Sequence, residues 1–342
     1  MTIAVVGDSA AALATAALAG LSSGEPILLA GWVPGSAPAL TSATQAGVKG
    51  RLMVADGSAV QADAYVVVAD AATLPGVLRT HAARLAGRPV LLAPGNCGGA
   101  LMASAQFAET AAKPPRFCEA PGFPAIGRVN GSHVDVLAVK RRLPFASLDE
   151  GRGERDLDLF RRYLPDLVMS DLWTTSLSNT NHLIHPPLVI ANAKQIRVGT
   201  AFRFYREGEL TVGAGIMGNV DEDRMRLLDG LGLPKVRLVD WMSRYYSDQG
   251  LIGNSIEIQL RTFAPFEGSP APTTFQHRYL LDDVRFGLAP IEAIAGRIGV
   301  AVPDLSTVVS AASELAGEDL RTFAEERATA LMTHFRPGGR LG

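Results

Sequence analysis

Residues Ile3 to Gly20 read IAVVGDSAAALATAALAG, four apolar residues closing on Gly7 and then a run of small and apolar residues. A short continuous apolar run ended by glycine reads as a buried strand, and the alanine-rich run from Ala10 to Ala19 reads as a helix. In this strand, turn and helix layout, backbone N–H groups at the helix start can meet a pyrophosphate, so the stretch predicts a dinucleotide-binding unit. Set on the G-x-G-x-x-G pattern, Gly7 is kept, while Ser9 and Ala12 stand where the second and third glycines would be. Alanine at the third place only packs the helix near the strand. Ser9 adds a side chain where backbone should approach phosphate, although its hydroxyl could itself donate to that phosphate. Gly7, Ser9, Ala10 and Ala12 are the first cofactor-binding candidates; a small-residue turn with no ligand is the alternative.

Outward from this stretch, apolar runs alternate with helical patterns. Strands are expected at Thr2 to Val6, Pro26 to Ala30, Arg51 to Val54, Ala64 to Ala69, Pro89 to Ala93, Val134 to Val139 and Leu167 to Met169, with a further helix over Thr73 to Ala86. Continuous rather than alternating strands, as in YVVVAD and PVLLAP, predict a parallel sheet covered on both faces. Past about Asp171 that rhythm stops. HPPLVIANAKQI, DEDRMRLLDGLGL, VDWMSRYYSDQ, APIEAIAGRIG and DLSTVVSAASEL carry apolar positions three and four apart between Pro and Gly turn signals. The expected fold class is therefore α/β: a Rossmann-like, doubly wound parallel sheet over residues 1–172, then a mainly α-helical domain over 173–342. The Pro-, Gly- and Ser-rich FAPFEGSPAPTTFQHRY is expected as an ordered loop, because aromatics recur through it.

A chain of 342 residues fits two domains, each able to bury a core. With 47% hydrophobic residues, 19% charged ones and no apolar run of the roughly 20 residues a spanning helix needs, it reads as soluble and globular. Lysine plus arginine number 32 against 34 acids, so no strong field favours nucleic acid or an anionic membrane. Small molecules are the expected partners, with a homodimer the default assembly. Two cysteines, Cys97 and Cys118, and a start lacking a secretory signal pattern give the cytoplasm as the expected location.

The second expected strand, PILLAG, ends without the acid that would hold an adenosine ribose 2′-hydroxyl; Ala30, Gly31 and Trp32 occupy that stretch. Loss of the acid also removes repulsion of a 2′-phosphate, which tilts the expectation weakly from NADH to NADPH. Lys49 and Arg51 are the nearest cations in sequence.

Three further elements bear on function. Pro94, Gly95, Asn96, Cys97, Gly98, Gly99 and Ala100 follow an expected strand and open a helix. In SLSNTNHLIHPPLVIANA, Asn181 and His185 lie four apart, on one face of a helix. His182 is three residues from His185, but with no Glu or Cys nearby to complete ligation a metal is not expected. In HRYLLDDVRFGLAPIEAIAGRIGVAVP, Arg278, Tyr279, Asp283, Val284, Gly287 and Pro290 are spaced as R-Y-x-x-x-D-V-x-x-G-L-x-P. On residue chemistry alone, His185 reads first as a buried histidine at a helix start, and Asp283 as a helix cap.

Together, and in this order, these elements resemble the opine dehydrogenases, which use NAD(P)H to join an amino acid to a 2-oxo acid. The first resembles the family's PGxxGGA turn beside the nicotinamide, which makes Pro94, Gly95, Gly98 and Gly99 cofactor-binding candidates. The second resembles N-P-x-x-H-P, with His182 where the family has proline. The third resembles R-Y-x-x-x-D-V-P-x-G-L-x-P, with Arg285 in place of the proline. The resemblance implies His185 as acid/base and Asp283 as its orienting partner, which suits the chemistry: an amino acid arrives as an ammonium, and histidine titrates near neutral pH. It further implies Arg278 as a clamp on a carboxylate or pyrophosphate, with Asn181 and Tyr279 beside it at the substrate. Two alternatives stand beside it. One is a reductase of a simple 2-oxo acid or preformed imine, related to ketopantoate reductases, which would rely on a lysine such as Lys194. The other is a repurposed, non-catalytic member of the family.

Overall fold

The computed structural model describes residues 2–31, 40–45, 47–51, 54–56, 61–108 and 113–334. The chain divides into two compact units, Met1–Ser176 and Leu177–Gly342, four residues later than the expected 172/173 division.

The first unit runs β1 (Ile3–Val6), α1 (Ala10–Ser23), β2 (Ile27–Ala30), β3 (Ser42–Gln45), β4 (Val48–Arg51), β5 (Val54–Asp56), β6 (Ala64–Val67), α2 (Leu74–Leu85), β7 (Pro89–Leu92) and α3 (Gly99–Ala108). It continues with β8 (Arg116–Glu119), β9 (Ala125–Asn130), β10 (His133–Val139), β11 (Leu143–Ser147), α4 (Gly153–Arg161), β12 (Leu167–Met169) and α5 (Leu172–Leu177), which crosses the division. Eight strands form one sheet in the order β12-β11-β8-β7-β6-β1-β2-β5. Its pairings are parallel except β8 with β11. The four strands IAVV, ILLA, AYVV and PVLL are buried at every position, which is why each is an unbroken apolar run. The chain leaves β1 first toward β2 and then returns to β6 on its other side, so the strand order reverses at β1. Ligands of open α/β sheets bind outside the strand ends at such a switch point, and here it is occupied by Gly7 and the start of α1.

A second sheet, β4-β3-β10-β9, was not foreseen. The expected strand Arg51 to Val54 is in fact two, β4 in the second sheet and β5 in the first. Helix α1 packs against strands of both sheets, β1 and β2 on one side and β3, β9 and β10 on the other. Lying between two sheets, α1 buries every residue from Ala12 to Ala19, and only small side chains let both layers approach it. Its composition, a poor amphipathic pattern for a surface helix, follows from that double burial.

In the second unit the named elements are helices, with one isolated bridge between Arg203 and Pro270. They are α6 (Thr180–Ala191), α7 (Ala193–Arg197), α8 (Leu210–Gly230), α9 (Leu238–Tyr246), α10 (Ile256–Thr262), α11 (Arg278–Asp283), α12 (Ala289–Arg297), α13 (Pro303–Ala316) and α14 (Ala324–His334). Between α11 and α12 the chain makes one π-helical turn, Val284–Leu288, a local widening often found where a helix carries functional groups. Helices α6, α8 and α13 pack on one another. A buried Arg224–Asp221 pair at 2.6 Å ties α8 down: Asp221 also accepts from the Leu238 N–H at 2.8 Å, and Arg224 donates to the Leu177 and Val236 carbonyls. With every arm bonded, this pair registers α8 against the start of α9. Residues 263–277 form the expected ordered loop, with one short 3₁₀ turn at Ala264–Phe266. Among the described residues no helix is long and apolar enough to cross a membrane.

Candidate active site

Helix α6 places His185 one turn after Asn181, and α11 ends on Asp283. The imidazole and the carboxylate, 98 positions apart, meet with His185 Nδ1 2.7 Å from Asp283 Oδ2. Both are buried, at 5% exposure each. Burial works against the Asp283 charge, but the His185 imidazole, by charge and by hydrogen bond, outweighs it. With lesser help from His182 and Arg278, it holds the carboxyl below its ordinary 3.8. An ionised carboxylate only accepts, so His185 Nδ1 donates to it, and in the neutral ring Nε2 is then the nitrogen that carries the lone pair.

That lone pair is not bare. The hydroxyl of Tyr205, in the segment between α7 and α8, lies 3.0 Å from His185 Nε2. Tyr279, in the first turn of α11, stacks on the imidazole with ring centroids 3.9 Å apart. The Arg278 guanidinium lies over the Tyr279 ring, 5.1 Å from its centroid. The structure thus brings His185, Asp283, Tyr279 and Arg278 into one cluster. Asn181 is half-buried on α6, four residues before His185 and hence on the same helix face.

Two histidines have supporting roles that spacing alone did not assign. Asn179 caps α6: its Oδ1 accepts from the Asn181 N–H at 3.0 Å, which turns its Nδ2 toward His182 Nε2, also at 3.0 Å. His182 Nε2 is therefore placed to accept from that amide. It stands 3.9 Å from Asp283 Oδ1. Gly287, in the π turn, makes room for it: a Cβ there would lie 2.3 Å from His182 Cγ and Nδ1. His277 caps α11 by accepting from the Tyr279 N–H at 3.2 Å. Burial, then the neighbouring Arg278 and His185, pushes its pKa down to about 4. Lys194, the lysine of the reductase alternative, is exposed on α7. No group of three or more His, Cys, Asp or Glu is arranged to hold a metal among the described residues.

In the first unit, Gly7 adopts φ +149°, open to glycine and strained for other residues, and its N–H donates to the Ala30 carbonyl at 2.8 Å. Ser9 is the N-cap of α1; its Oγ accepts from the Ala12 N–H at 3.2 Å. The cap takes one N–H of the helix start, leaving those of Ala10 and Ala11 outside the intrahelical ladder. A glycine turn at the switch point with two outward N–H groups fits a pyrophosphate. At the end of β2, Ala30 and Gly31 offer no carboxylate; Trp32 lies outside the described residues. Lys49 is exposed on β4, and its neighbour Gly50 packs on Leu21, ~16 Å along α1 from the helix start at 1.5 Å per residue. The side chain of Arg51 is not among those described.

The PGNCGG turn carries a residue that sequence reasoning missed. After a cis peptide into Pro94, Asn96 and Gly98 are left-handed, and Gly99 opens α3. The fully buried Glu119, last residue of β8, fills the turn from within. Its Oε2 accepts from the Ala100 N–H at 2.9 Å, and its Oε1 from the Thr175 hydroxyl at 2.6 Å and the Ser176 hydroxyl at 3.2 Å. Ser176 accepts in turn from the Gly98 N–H at 3.1 Å. A Cβ on Gly95 would lie 2.5 Å from Glu119 Cβ, so this glycine clears space for the carboxylate. The only signal was a lone acid ending the apolar stretch RFCEA.

Residues 168–316 match the family described as NAD/NADP octopine/nopaline dehydrogenase, alpha-helical domain. The opine dehydrogenase of Arthrobacter sp. (strain 1C) is 26% identical over 237 residues, 69% of this chain and 65% of that relative. Protein ocs of Agrobacterium tumefaciens (strain Ach5) is 30% identical over 200 residues, 57% of this chain and 54% of that relative. The matched stretches therefore span less than two thirds of either relative. Among solved structures, octopine dehydrogenase with NADH and L-arginine has a TM-score of 0.68 at 16% identity, over 93% of this chain and 90% of that chain, a likeness of fold. The second unit thus matches the alpha-helical domain of the octopine/nopaline dehydrogenases, and it follows a Rossmann-like unit in a chain whose fold is like that of octopine dehydrogenase.

Proposed function

We propose that this protein is an NAD(P)H-dependent opine dehydrogenase that condenses an amino acid with a 2-oxo acid and reduces the resulting imine. The observation that carries this reading is the buried His185–Asp283 pair at 2.7 Å, in which Nδ1 faces the carboxylate and Nε2 is turned away from it. A neutral imidazole backed by an ionised carboxylate can take a proton from an ammonium near neutral pH and return it to a departing hydroxyl. Arg278, a permanent planar cation in the same cluster, suits a substrate carboxylate; Asn181 and Tyr279 complete the substrate side.

The dinucleotide would be held by the turn at Gly7, Ser9, Ala10 and Ala12, with Pro94, Gly95, Gly98 and Gly99 shaping the second turn. When bound, it supplies the hydride that reduces the imine carbon. NADPH is the preferred form on the absence of an acid at Ala30 and Gly31, since a 2′-phosphate then meets no repulsion. Exposure of Lys194 speaks against the lysine-dependent reduction of a simple 2-oxo acid. The buried thiols of Cys97 and Cys118 suit the cytoplasm, and a homodimer is the assembly we assign to it.

The test is NADPH oxidation with pyruvate alone against pyruvate plus each of the common amino acids, arginine included. Oxidation that depends on the amine supports condensation, whereas equal oxidation without amine overturns it in favour of a 2-oxo acid reductase.

A further inference from the structure

We infer that Tyr205 is the group through which His185 exchanges protons with the substrate, making the unit Asp283–His185–Tyr205 rather than a dyad. The inference rests on the condensation reading above and adds a residue that neither spacing nor motif singled out.

The argument starts from the two ring nitrogens. Nδ1 of His185 is committed to Asp283 at 2.7 Å, so only Nε2 is left for substrate, and Nε2 already holds the Tyr205 hydroxyl at 3.0 Å. Tyr205 is itself 5% exposed, and its ring is wedged against Phe204 at 5.2 Å and Phe266 at 4.9 Å between centroids, so it is held in place from two sides. A substrate nitrogen that approaches along the Nε2 direction therefore meets the phenol oxygen before it meets the imidazole. A hydroxyl both donates and accepts, so Tyr205 fits either state of the ring. It donates to Nε2 of the neutral imidazole and accepts from Nε2–H of the imidazolium.

The exchange balances. In amine activation, the ammonium gives a proton to Tyr205 Oη while the phenol's own hydrogen passes to His185 Nε2. Free amine and imidazolium result, and tyrosine is regenerated. After the amine adds to the ketone, the path runs backward: Nε2–H returns its proton to Oη, and the phenol hydrogen goes to the carbinolamine hydroxyl. The C–O bond breaks, water leaves, and the iminium remains for hydride. Neutral tyrosine is needed throughout. Burial, reinforced by Tyr279 and opposed by Arg278, pushes the phenol's pKa well above its ordinary 10, with Asp283 and Tyr246 also facing it.

Tyr205→Phe keeps the ring and removes the proton path. With the amine and 2-oxo acid found active in the assay above, we expect kcat to fall by roughly two to four orders of magnitude, the scale of lost general acid–base catalysis. KM for the 2-oxo acid and the thermal midpoint should change little. Replacing Tyr205 with a more acidic fluorotyrosine should restore turnover and move the alkaline limb of the kcat profile to lower pH, which a packing role would not do. Independently of turnover, 15N spectra of histidine-labelled protein without ligands should show His185 Nε2 as a hydrogen-bonded acceptor that loses this bond in Tyr205→Phe. Unchanged kcat in Tyr205→Phe, an unmoved alkaline limb, or a hydrogen on Nε2 in the neutral wild type overturns the relay and leaves the condensation reading standing. A wild type that oxidises NADPH with pyruvate regardless of amine overturns the condensation reading itself.

Discussion

The Tyr279 ring lies on the His185 imidazole, centroids 3.9 Å and planes 24° apart, while Asp283 and Tyr205 hold the two ring nitrogens. The imidazole is thus fixed both in its plane and across it. Tyr279→Ala removes the stack, and aromatic pairs contribute about 0.5–1.5 kcal/mol beyond area burial. If that holds the ring in its working orientation, kcat should fall roughly two- to tenfold in Tyr279→Ala while Tyr279→Phe stays near wild type. Steady-state kinetics of the two variants decide it, and equal losses would assign the effect to the hydroxyl instead of the stack.

Asp283 also makes a prediction about stability against pH. Its carboxyl is held below 3.8 in the folded state, so folding favours the ionised form. That stabilisation is complete above the ordinary value and is lost as pH falls through the lowered folded value. Asp283→Asn should remove this contribution, costing about 1.5–3 kcal/mol at pH 6 for a charge-assisted hydrogen bond. Urea unfolding at pH 6 and pH 3 should show a gap between variant and wild type that narrows in acid; a constant gap would mean that Asp283 acts by packing alone.

The central strands and the helical second unit were legible because their burial is simple. A strand covered on both faces is apolar at every position, as in ILLA and PVLL, and a helix with one buried face repeats at three and four. The second sheet was illegible for the opposite reason. β3, SATQ, has one fully buried position, Ala43, and β9, AIGRVN, alternates imperfectly around a glycine, so neither carries an apolar signature. At the site, His185 and Asp283 were found through motif likeness and not periodicity, since nothing local links positions 98 apart. Tyr205 and Glu119 act through contacts made only on folding, one onto an imidazole nitrogen and the other into a glycine turn, and each is an ordinary residue in its own segment.

The fit of His182 against Gly287 is close enough to be tested directly. A methyl at Gly287 would have to displace the imidazole ring, and overpacking of a buried site costs typically ~1–3 kcal/mol. Gly287→Ala should therefore lower the thermal midpoint, and adding His182→Ala to it should recover part of the loss by opening the space. A double variant no more stable than Gly287→Ala would place the strain in the π turn rather than against His182.

Ser9 separates capping from phosphate binding. Its hydroxyl accepts from the Ala12 N–H, so Ser9→Ala should cost about 0.5–2 kcal/mol of stability, whereas Ser9→Gly, a tolerated cap, should cost only a few tenths. If a pyrophosphate sits against this turn, Ser9→Gly should bind NADPH as well as wild type or better, because the Ala12 N–H is released toward it. Calorimetry with NADPH and NADH measures both this and the preference for the 2′-phosphate. A large loss of affinity in Ser9→Gly would make the hydroxyl a direct phosphate donor, and equal affinity for the two cofactors would remove the preference.

The pair at the centre is tested by a double-mutant cycle. His185→Ala and Asp283→Ala should each lower turnover by roughly two to four orders of magnitude, and because residues acting as a unit are strongly non-additive, the double variant should be little worse than His185→Ala. NADPH affinity should survive in all three, since both side chains belong to the second unit and the turn at Gly7 to the first. In the wild type, turnover should fail on the acid side as His185 becomes protonated and can no longer accept from the ammonium. Without the carboxylate, the imidazolium loses its partner and the ring holds its proton less tightly, so in Asp283→Ala the residual activity should have its acid limb at lower pH. Losses that simply multiply in the double variant, or an acid limb that does not move, would show that the 2.7 Å contact is structural and that the ammonium proton leaves by another route.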